Sequence, residues 1–147
     1  MAGRRPDPTP LDFAANLLRR APMSEAALAG RLVGKGYRAA TAAATVARCR
    51  ELAWIDDAAF AHDRARTLRQ RGAGSLKITA DLERHGVPNG LIDQAVRASL
   101  EGESESDWAR RAVQQSGCGD DPARAWRLLA GRGFSEEVVS DVVDLGE

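Results

Sequence analysis

Cysteine, histidine and long apolar runs are scarce in this chain, and each scarcity makes a class of protein improbable. The two cysteines, Cys49 and Cys118, have no CxxC spacing and no secretory context, so we expect reduced thiols, with one disulfide as the alternative. The two histidines, His62 and His85, lack ligand spacing to each other or to the cysteines, so we predict no metal site and no cofactor. No apolar run approaches the ~20 residues that span a bilayer, and no apolar signal core opens the sequence, so we expect a cytoplasmic protein.

The sequence also lacks a set of residues that would converge on catalysis. The adjacent acids Asp56 and Asp57 stand where a helix should begin, and there a carboxylate caps N–H groups and favours the helix dipole. No base, nucleophile or metal set accompanies them, so we expect a protein that is not an enzyme. The segment 72–75, Gly-Ala-Gly-Ser, could bind phosphate through backbone N–H groups, but it lacks the lysine of a nucleotide-binding loop, and a plain turn is the alternative.

The formal net charge is zero, but the charges are unevenly distributed. Residues 1–27 have four basic and three acidic side chains, which gives +1, and residues 28–100 have twelve and seven, which gives +5. Residues 101–147 have five basic and eleven acidic side chains, which gives −6. A basic middle joined to an acidic end fits a partner with both signs of charge, or a nucleic acid bound at the middle, although solvated helix faces explain most single charges.

Helical periodicity is the main signal that is present, and the middle of the chain is typical of a three-helix unit. Asp56 can cap a helix that runs to Arg71, and the glycines that follow end it. Ser75 can cap a second helix that ends at Gly86, and Pro88 suits the first turn of a third. No strand pattern occurs in the sequence.

Three glycines mark a repeat of this unit along the chain. Gly36, Gly86 and Gly133 share the same neighbours: a leucine four residues before, an apolar or aromatic residue directly after, and a valine ten residues after. The columns are Leu32, Leu82 and Leu129; Tyr37, Val87 and Phe134; Val46, Val96 and Val143. A period near 50 residues indicates helical repeats that bury their faces against neighbours, and chance recurrence of leucine before glycine is the alternative.

These observations predict an all-α fold of three tandem three-helix repeats in an elongated array. A single compact nine-helix bundle is the alternative. The predicted divisions are a flexible arm at 1–10, repeat 1 at 11–53, a basic repeat 2 at 54–100, an acidic linker at 101–107 and repeat 3 at 108–147. No heptad pattern indicates a coiled coil, so we expect a monomer.

Three segments together resemble the RecX family, whose members modulate the RecA recombinase. They are Trp54-Ile55-Asp56-Asp57 followed by Phe60-Ala61, then Gly74-x-x-Lys77-Ile78-x-x-x-Leu82-x-x-x-Gly86-Val87, and Leu128-Leu129-x-Gly131-Arg132-Gly133-Phe134. The resemblance covers about residues 11–145. It implies a protein without catalytic activity that binds RecA and the RecA filament on single-stranded DNA, lies in the filament groove, and inhibits ATP hydrolysis, strand exchange and repressor self-cleavage.

Basic residues of the second repeat are the candidates for contact with acidic RecA surface or DNA phosphate. At 100° per residue, the helix that begins at Asp57 places an apolar stripe on one side: Phe60, Ala61, Ala65 and Leu68. We predict that Arg66 and Arg69 lie opposite it, and that Arg64 and Arg71 lie nearer it, with stems that cover apolar surface. The next helix adds Lys77 and Arg84. A direct nucleic-acid-binding helical protein and a helical-repeat scaffold for another partner are the alternative functions.

Overall fold

The computed structural model of the protein describes residues 8–143 and is all-α over that range, as predicted. Its helices are α1 (Pro10–Arg20), α2 (Glu25–Lys35), α3 (Ala39–Glu51), α4 (Asp57–Gln70), α5 (Ser75–Arg84), α6 (Asn89–Ser99), α7 (Glu105–Ser116), α8 (Pro122–Gly131) and α9 (Glu136–Val142). They form three tandem modules of three helices, α1–α3, α4–α6 and α7–α9. Residues 1–7 of the predicted arm lie outside the described range, and α1 already begins at Pro10, since proline suits a first helical turn.

The described residues group into two units. The first contains the residues up to Phe60 together with His85–Val87, and the second contains Ala61–Arg84 and the residues from Pro88 onward. The core of the first unit is built from α1, α2, α3 and the segment after α3: Ala14, Leu17, Leu28, Leu32, Ala42, Val46, Cys49 and Ile55. In the second unit, α7, α8 and α9 enclose Ala109, Ala112, Cys118, Ala125, Leu129, Phe134, Val139 and Val143.

The glycine repeat is present in the structure. Gly36, Gly86 and Gly133 have φ angles of 114°, 73° and 90°, in the left-handed region that favours glycine. The leucines four residues earlier, Leu32, Leu82 and Leu129, are each fully buried. One local pattern therefore ends the second helix of every module and places its last apolar side chain in a core.

Two of these glycines also allow close packing against the preceding module. A Cβ atom on Gly133 would lie 2.6 Å from the backbone nitrogen of Lys77 in α5, and one on Gly86 would lie 2.5 Å from the Cβ of Ala26 in α2. A Cβ on Gly36 would meet no described atom within 4 Å. The glycine of each later module thus contacts the first turn of the second helix in the module before it.

In the first unit, hydrogen bonds reinforce this packing at the start of α2. Ser24 accepts the Ala27 N–H at 3.1 Å as the N-cap, and its hydroxyl donates to the carbonyl of His85. Asp57 accepts the Glu25 N–H through Oδ1 at 2.8 Å, while the predicted cap of α4 is confirmed by the bond from the Ala59 N–H to Asp56. The start of α2 therefore depends on residues from the second module.

In the second unit, the start of α5 has the same arrangement. Glu105, the first residue of α7, accepts the Ser75 N–H through Oε1 at 2.8 Å. Two neighbouring N–H groups donate to the turn after α8: Gly74 to the Arg132 carbonyl at 2.8 Å, and Leu76 to the Gly133 carbonyl at 2.9 Å. Because these N–H groups are already bonded, the structure favours the turn over the phosphate site at 72–75.

Alanine substitution at the three glycines tests the two roles of the repeat. Gly36→Ala meets only the strain of a positive φ, so we expect a loss of about 1 kcal/mol in the free energy of unfolding. Gly133→Ala adds a collision with helix backbone, so we expect a loss of roughly 3 kcal/mol. Gly86→Ala should also cost more than Gly36→Ala, because the Ala26 methyl is fixed to the α2 backbone and cannot move without it. Urea denaturation gives the three values, and equal losses would contradict the packing role.

Substitution of Asp57 tests the cap at the start of α2. Burial raises the pKa of Asp57, so its ionised form destabilises the fold above that pKa, and the effect fades as pH falls towards the ordinary value of about 4. Asp57→Asn retains an oxygen acceptor without charge, so it should be at least as stable as the wild type at pH 7, with an advantage that shrinks towards pH 4. Asp57→Ala should lose about 1 kcal/mol in urea unfolding. An advantage of Asp57→Asn that grows towards pH 4 would contradict this assignment.

Candidate partner-binding surface

Arg69 is buried, so its predicted exposed position is wrong. Only 1% of the residue is accessible to solvent. Its Nε donates to Ser99 Oγ at 3.1 Å and its Nη2 to Ser75 Oγ at 2.7 Å, while Nη1 lies 3.5 Å from both the Ala73 carbonyl and Glu105 Oε1. The guanidinium therefore joins α4 to the starts of α5 and α7 and to the end of α6.

Helix geometry explains the error. Arg69 follows Ala61 and Ala65 at intervals of four residues, so the three side chains lie on one face of α4, and both alanines are fully buried. Burial lowers the pKa of Arg69 and the Glu105 carboxylate acts in the opposite direction. Arginine remains charged even so, which is why its donors require internal acceptors.

Arg64 and Arg84 share a buried carboxylate, and we call the three residues the Asp81 cluster. Asp81 is 6% exposed. Arg64 pairs with it in a two-point contact, with Nη2 2.9 Å from Oδ2 and Nε bonded to Oδ1. This contact raises the pKa of Arg64. Arg84 donates from Nη2 to Oδ2 at 3.2 Å, and its side chain is 71% exposed.

Lys77 lies on the same side of α5 as this cluster. Lys77, Asp81 and Arg84 follow one another at spacings of four and three residues, and Lys77 is exposed. Lys77 and Arg84 are thus placed as predicted, and Arg64 has the half-exposed position expected of a side chain near the apolar stripe.

Arg66 and Arg71 are both exposed, in different surroundings. Arg66 Nη2 lies 3.5 Å from Asp63 Oδ1, and its side chain is 59% exposed, so this ion pair contributes little to stability. Arg71 follows Arg64 by seven residues, which places the two on one side of α4. Arg71 forms no ion pair with any residue in the range 8–143.

Arg132 from the third module joins this surface, although the sequence analysis did not select it. A Cβ atom on Gly72 would collide with Arg132 Nη1, so the guanidinium lies directly over that glycine. Gly133, the next residue, packs against the backbone of Lys77. The sequence repeat identified Gly133, the residue next to Arg132. No local pattern showed that the turn after α8 packs against the segment 72–77.

Residues 8–143 contain neither a cluster of metal ligands nor a membrane-spanning helix. Among residues 8–143 there is no set of three or more His, Cys, Asp or Glu side chains that could hold a metal ion. Each helix in that range is too short or too polar to span a bilayer. Cys49 and Cys118 are buried free thiols, and burial raises the pKa of Cys49, which fits the predicted core position.

Comparison with known proteins gives consistent matches along most of the chain. A family model described as RecX, second three-helix domain, matches residues 56–96. The chain is 35% identical over 139 residues to Regulatory protein RecX of Chromohalobacter salexigens, which covers 89% of this chain and 88% of that protein. It is 37% identical over 138 residues to Regulatory protein RecX of Xanthomonas citri, which covers 90% and 85%.

Solved structures with the same fold include the crystal structure of RecX from Lactobacillus salivarius. That structure superposes with a TM-score of 0.76 at 14% sequence identity and covers 91% of this chain and 92% of the other. A second crystal structure, of regulatory protein RecX, gives a TM-score of 0.75 at 19% identity and covers 91% and 70%. At these identities the similarity establishes the fold alone.

Substitution of Arg69 tests whether this buried arginine stabilises the fold more than an exposed arginine of the same helix does. Arg69→Ala removes the N–H groups that donate hydrogen bonds to Ser75, Ser99 and Glu105, and it leaves a buried cavity. We therefore expect a loss of about 3 kcal/mol in the free energy of unfolding. Arg66→Ala is the matched control on the same helix and should change stability by less than about 0.5 kcal/mol. Urea unfolding of both variants checks the difference, and similar values for the two would contradict the structural role of Arg69.

Proposed function

Because the chain belongs to the RecX family of regulatory proteins, we propose that it binds RecA and the RecA filament on single-stranded DNA. Binding inhibits the filament's ATPase, strand-exchange and coprotease activities, and so regulates DNA repair, recombination and the SOS response. The protein acts in the cytoplasm as a monomer, and it acts by binding rather than by catalysis. The divisions after residues 53 and 100 remain predictions. Helix α7 begins at Glu105 and therefore includes the last residues assigned to the acidic linker.

One observation carries this proposal beyond the family: the second module exposes basic side chains on a rigid support. Arg66, Arg71, Lys77 and Arg84 are exposed, and Arg64 is half-exposed. Beneath them, the buried Arg69 and Asp81 fix α4 against α5 through charged hydrogen bonds. A fixed array of positive charge attracts an acidic partner and accelerates its association.

The first test is the ATPase activity of RecA on single-stranded DNA while this protein is titrated in. We expect inhibition at less than one molecule per RecA, which would favour blocked filament growth or disassembly over uniform coating. A parallel assay measures DNA binding without RecA. If the protein binds single-stranded DNA without RecA strongly enough to account for the lost ATPase activity, the direct nucleic-acid-binding function is supported instead. That function predicts a steep loss of DNA affinity as the salt concentration rises.

Charge reversal tests whether the second module makes the contact. The double variant Lys77→Glu/Arg84→Glu should slow association with the filament roughly tenfold at low salt, and the difference should shrink as salt screens the charges. Arg48→Glu is the control, because Arg48 is an exposed arginine of the first module with its own ion pair to Glu51. Stopped-flow or biosensor kinetics give the rates. Equal association rates for the double variant and the control would refute this assignment.

A further inference from the structure

Leu76 is the most exposed of the large apolar side chains in the described part of the chain. It is 59% exposed, compared with 49% for Val33 and 44% for Trp54. A single exposed leucine is ordinary on a protein surface and does not by itself indicate a site. Leu76 differs from such a residue because basic side chains lie near it.

Three basic residues from two modules either flank the start of α5 in the chain or lie against the turn before it, close to Leu76. Arg71 precedes the turn and Lys77 follows Leu76 directly in the chain. Arg132 reaches the same place from the third module, with its guanidinium over Gly72. We call Arg71, Leu76, Lys77 and Arg132 the Leu76 surface.

These basic residues differ from their neighbours because none of them forms an ion pair with a residue in the range 8–143. Arg64 and Arg84 share Asp81, Arg66 is close to Asp63, and Arg111 contacts Glu103. Within residues 8–143, Arg71, Lys77 and Arg132 form no ion pair. The Leu76 surface therefore has three basic side chains without an acidic partner of their own. The nearby Glu105 carboxylate is bonded to the Ser75 N–H and lies close to the buried Arg69.

The backbone of this surface is held before any partner arrives. The N–H groups of Gly74, Ser75 and Leu76 are bonded to Arg132, Glu105 and Gly133, respectively. A preorganised contact loses less conformational entropy on binding.

We infer that the Leu76 surface is a docking site for an acidic protein segment that presents an apolar side chain. Its apolar side chain packs on Leu76, and its carboxylates pair with Arg71, Lys77 and Arg132. An apolar centre with a charged rim is the usual anatomy of a protein interface. Single-stranded nucleic acid fits less well, because bases stack on aromatic rings and a leucine has none. This inference rests on the proposed function in one respect, since it takes the RecA filament as the protein that supplies the segment.

The test compares the variants Leu76→Ser and Arg132→Glu with the control Val33→Ser. Val33 is a similarly exposed apolar residue in α2, on a module that does not contribute to this surface. Circular dichroism melting checks that each variant folds, because both substitutions alter exposed or partly exposed side chains. We expect the first two variants to bind the RecA filament roughly tenfold more weakly and the control to bind like the wild type.

A second assay makes the inference independent of RecA. A labelled synthetic peptide of alternating glutamate and leucine is titrated with each protein and followed by fluorescence anisotropy. We expect binding to the wild type, and clear loss with Leu76→Ser and with Arg132→Glu. If the wild type does not affect RecA but binds the peptide in this way, the proposed function fails and the docking surface stands.

Three results would overturn the inference. In the first, Leu76→Ser binds the filament as well as Val33→Ser does, and the wild type does not bind the peptide. This result would show that the Leu76 surface is not a docking site, whereas the proposed inhibition of RecA would be unaffected. Binding of labelled single-stranded DNA that depends on Arg132 but not on Leu76 would assign the charges to nucleic acid. A dimer of the wild type in sedimentation that Leu76→Ser converts to a monomer would make a second copy of the chain the occupant.

Discussion

The first turn of the second helix in a module depends on hydrogen-bond acceptors from the module that follows. A helix leaves its first N–H groups without intrahelical partners, and these groups must be satisfied when they are buried. Asp57 accepts at the start of α2 and Glu105 accepts at the start of α5, both at 2.8 Å. Each acid is also the first residue of its own helix, where its negative charge suits the helix dipole. One side-chain oxygen thus accepts at the start of one helix while its residue begins another, and this explains how an acid at the start of a module can determine the packing of the preceding one. At Asp57 this role belongs to the oxygen acceptor, because burial makes the charge itself unfavourable.

The buried Arg69 is the counterpart of this carboxylate in the second unit. Glu105 lies close to both the Ser75 N–H and the Arg69 guanidinium, so a helix start and a buried positive charge have one acceptor in common. Removal of either charged group would leave the other buried without its partner, which costs more than the pair contributes when intact. The exposed basic residues of α4 and α5 are therefore supported from beneath by a network with its own charge balance.

The parts of this fold that sequence reasoning predicted correctly are those with local causes. The cap at Asp56, the left-handed glycines and the buried leucines before them each depend on a few neighbouring residues. Contacts between distant segments could not be predicted in this way. Glu105 was assigned to an acidic linker, yet it begins α7. Arg69 was placed opposite the apolar stripe, although at 100° per residue it lies only about 40° from Ala65 and therefore on the buried face.

The same distinction explains which part of the candidate surface was missed. Lys77 and Arg84 belong to one helix, so helix periodicity was sufficient to place them on its outward side. The contact of Arg64 with Asp81 joins two helices and was not predicted. Arg132 is far away in the chain and reaches this surface only because Gly72 and Gly133 lack side chains that would obstruct it. Close packing at two glycines therefore determines both how the third module meets α5 and where its arginine lies. In a protein built of repeated modules, a surface of this kind arises from the same contacts that hold the modules together, so its position is fixed as precisely as the fold itself.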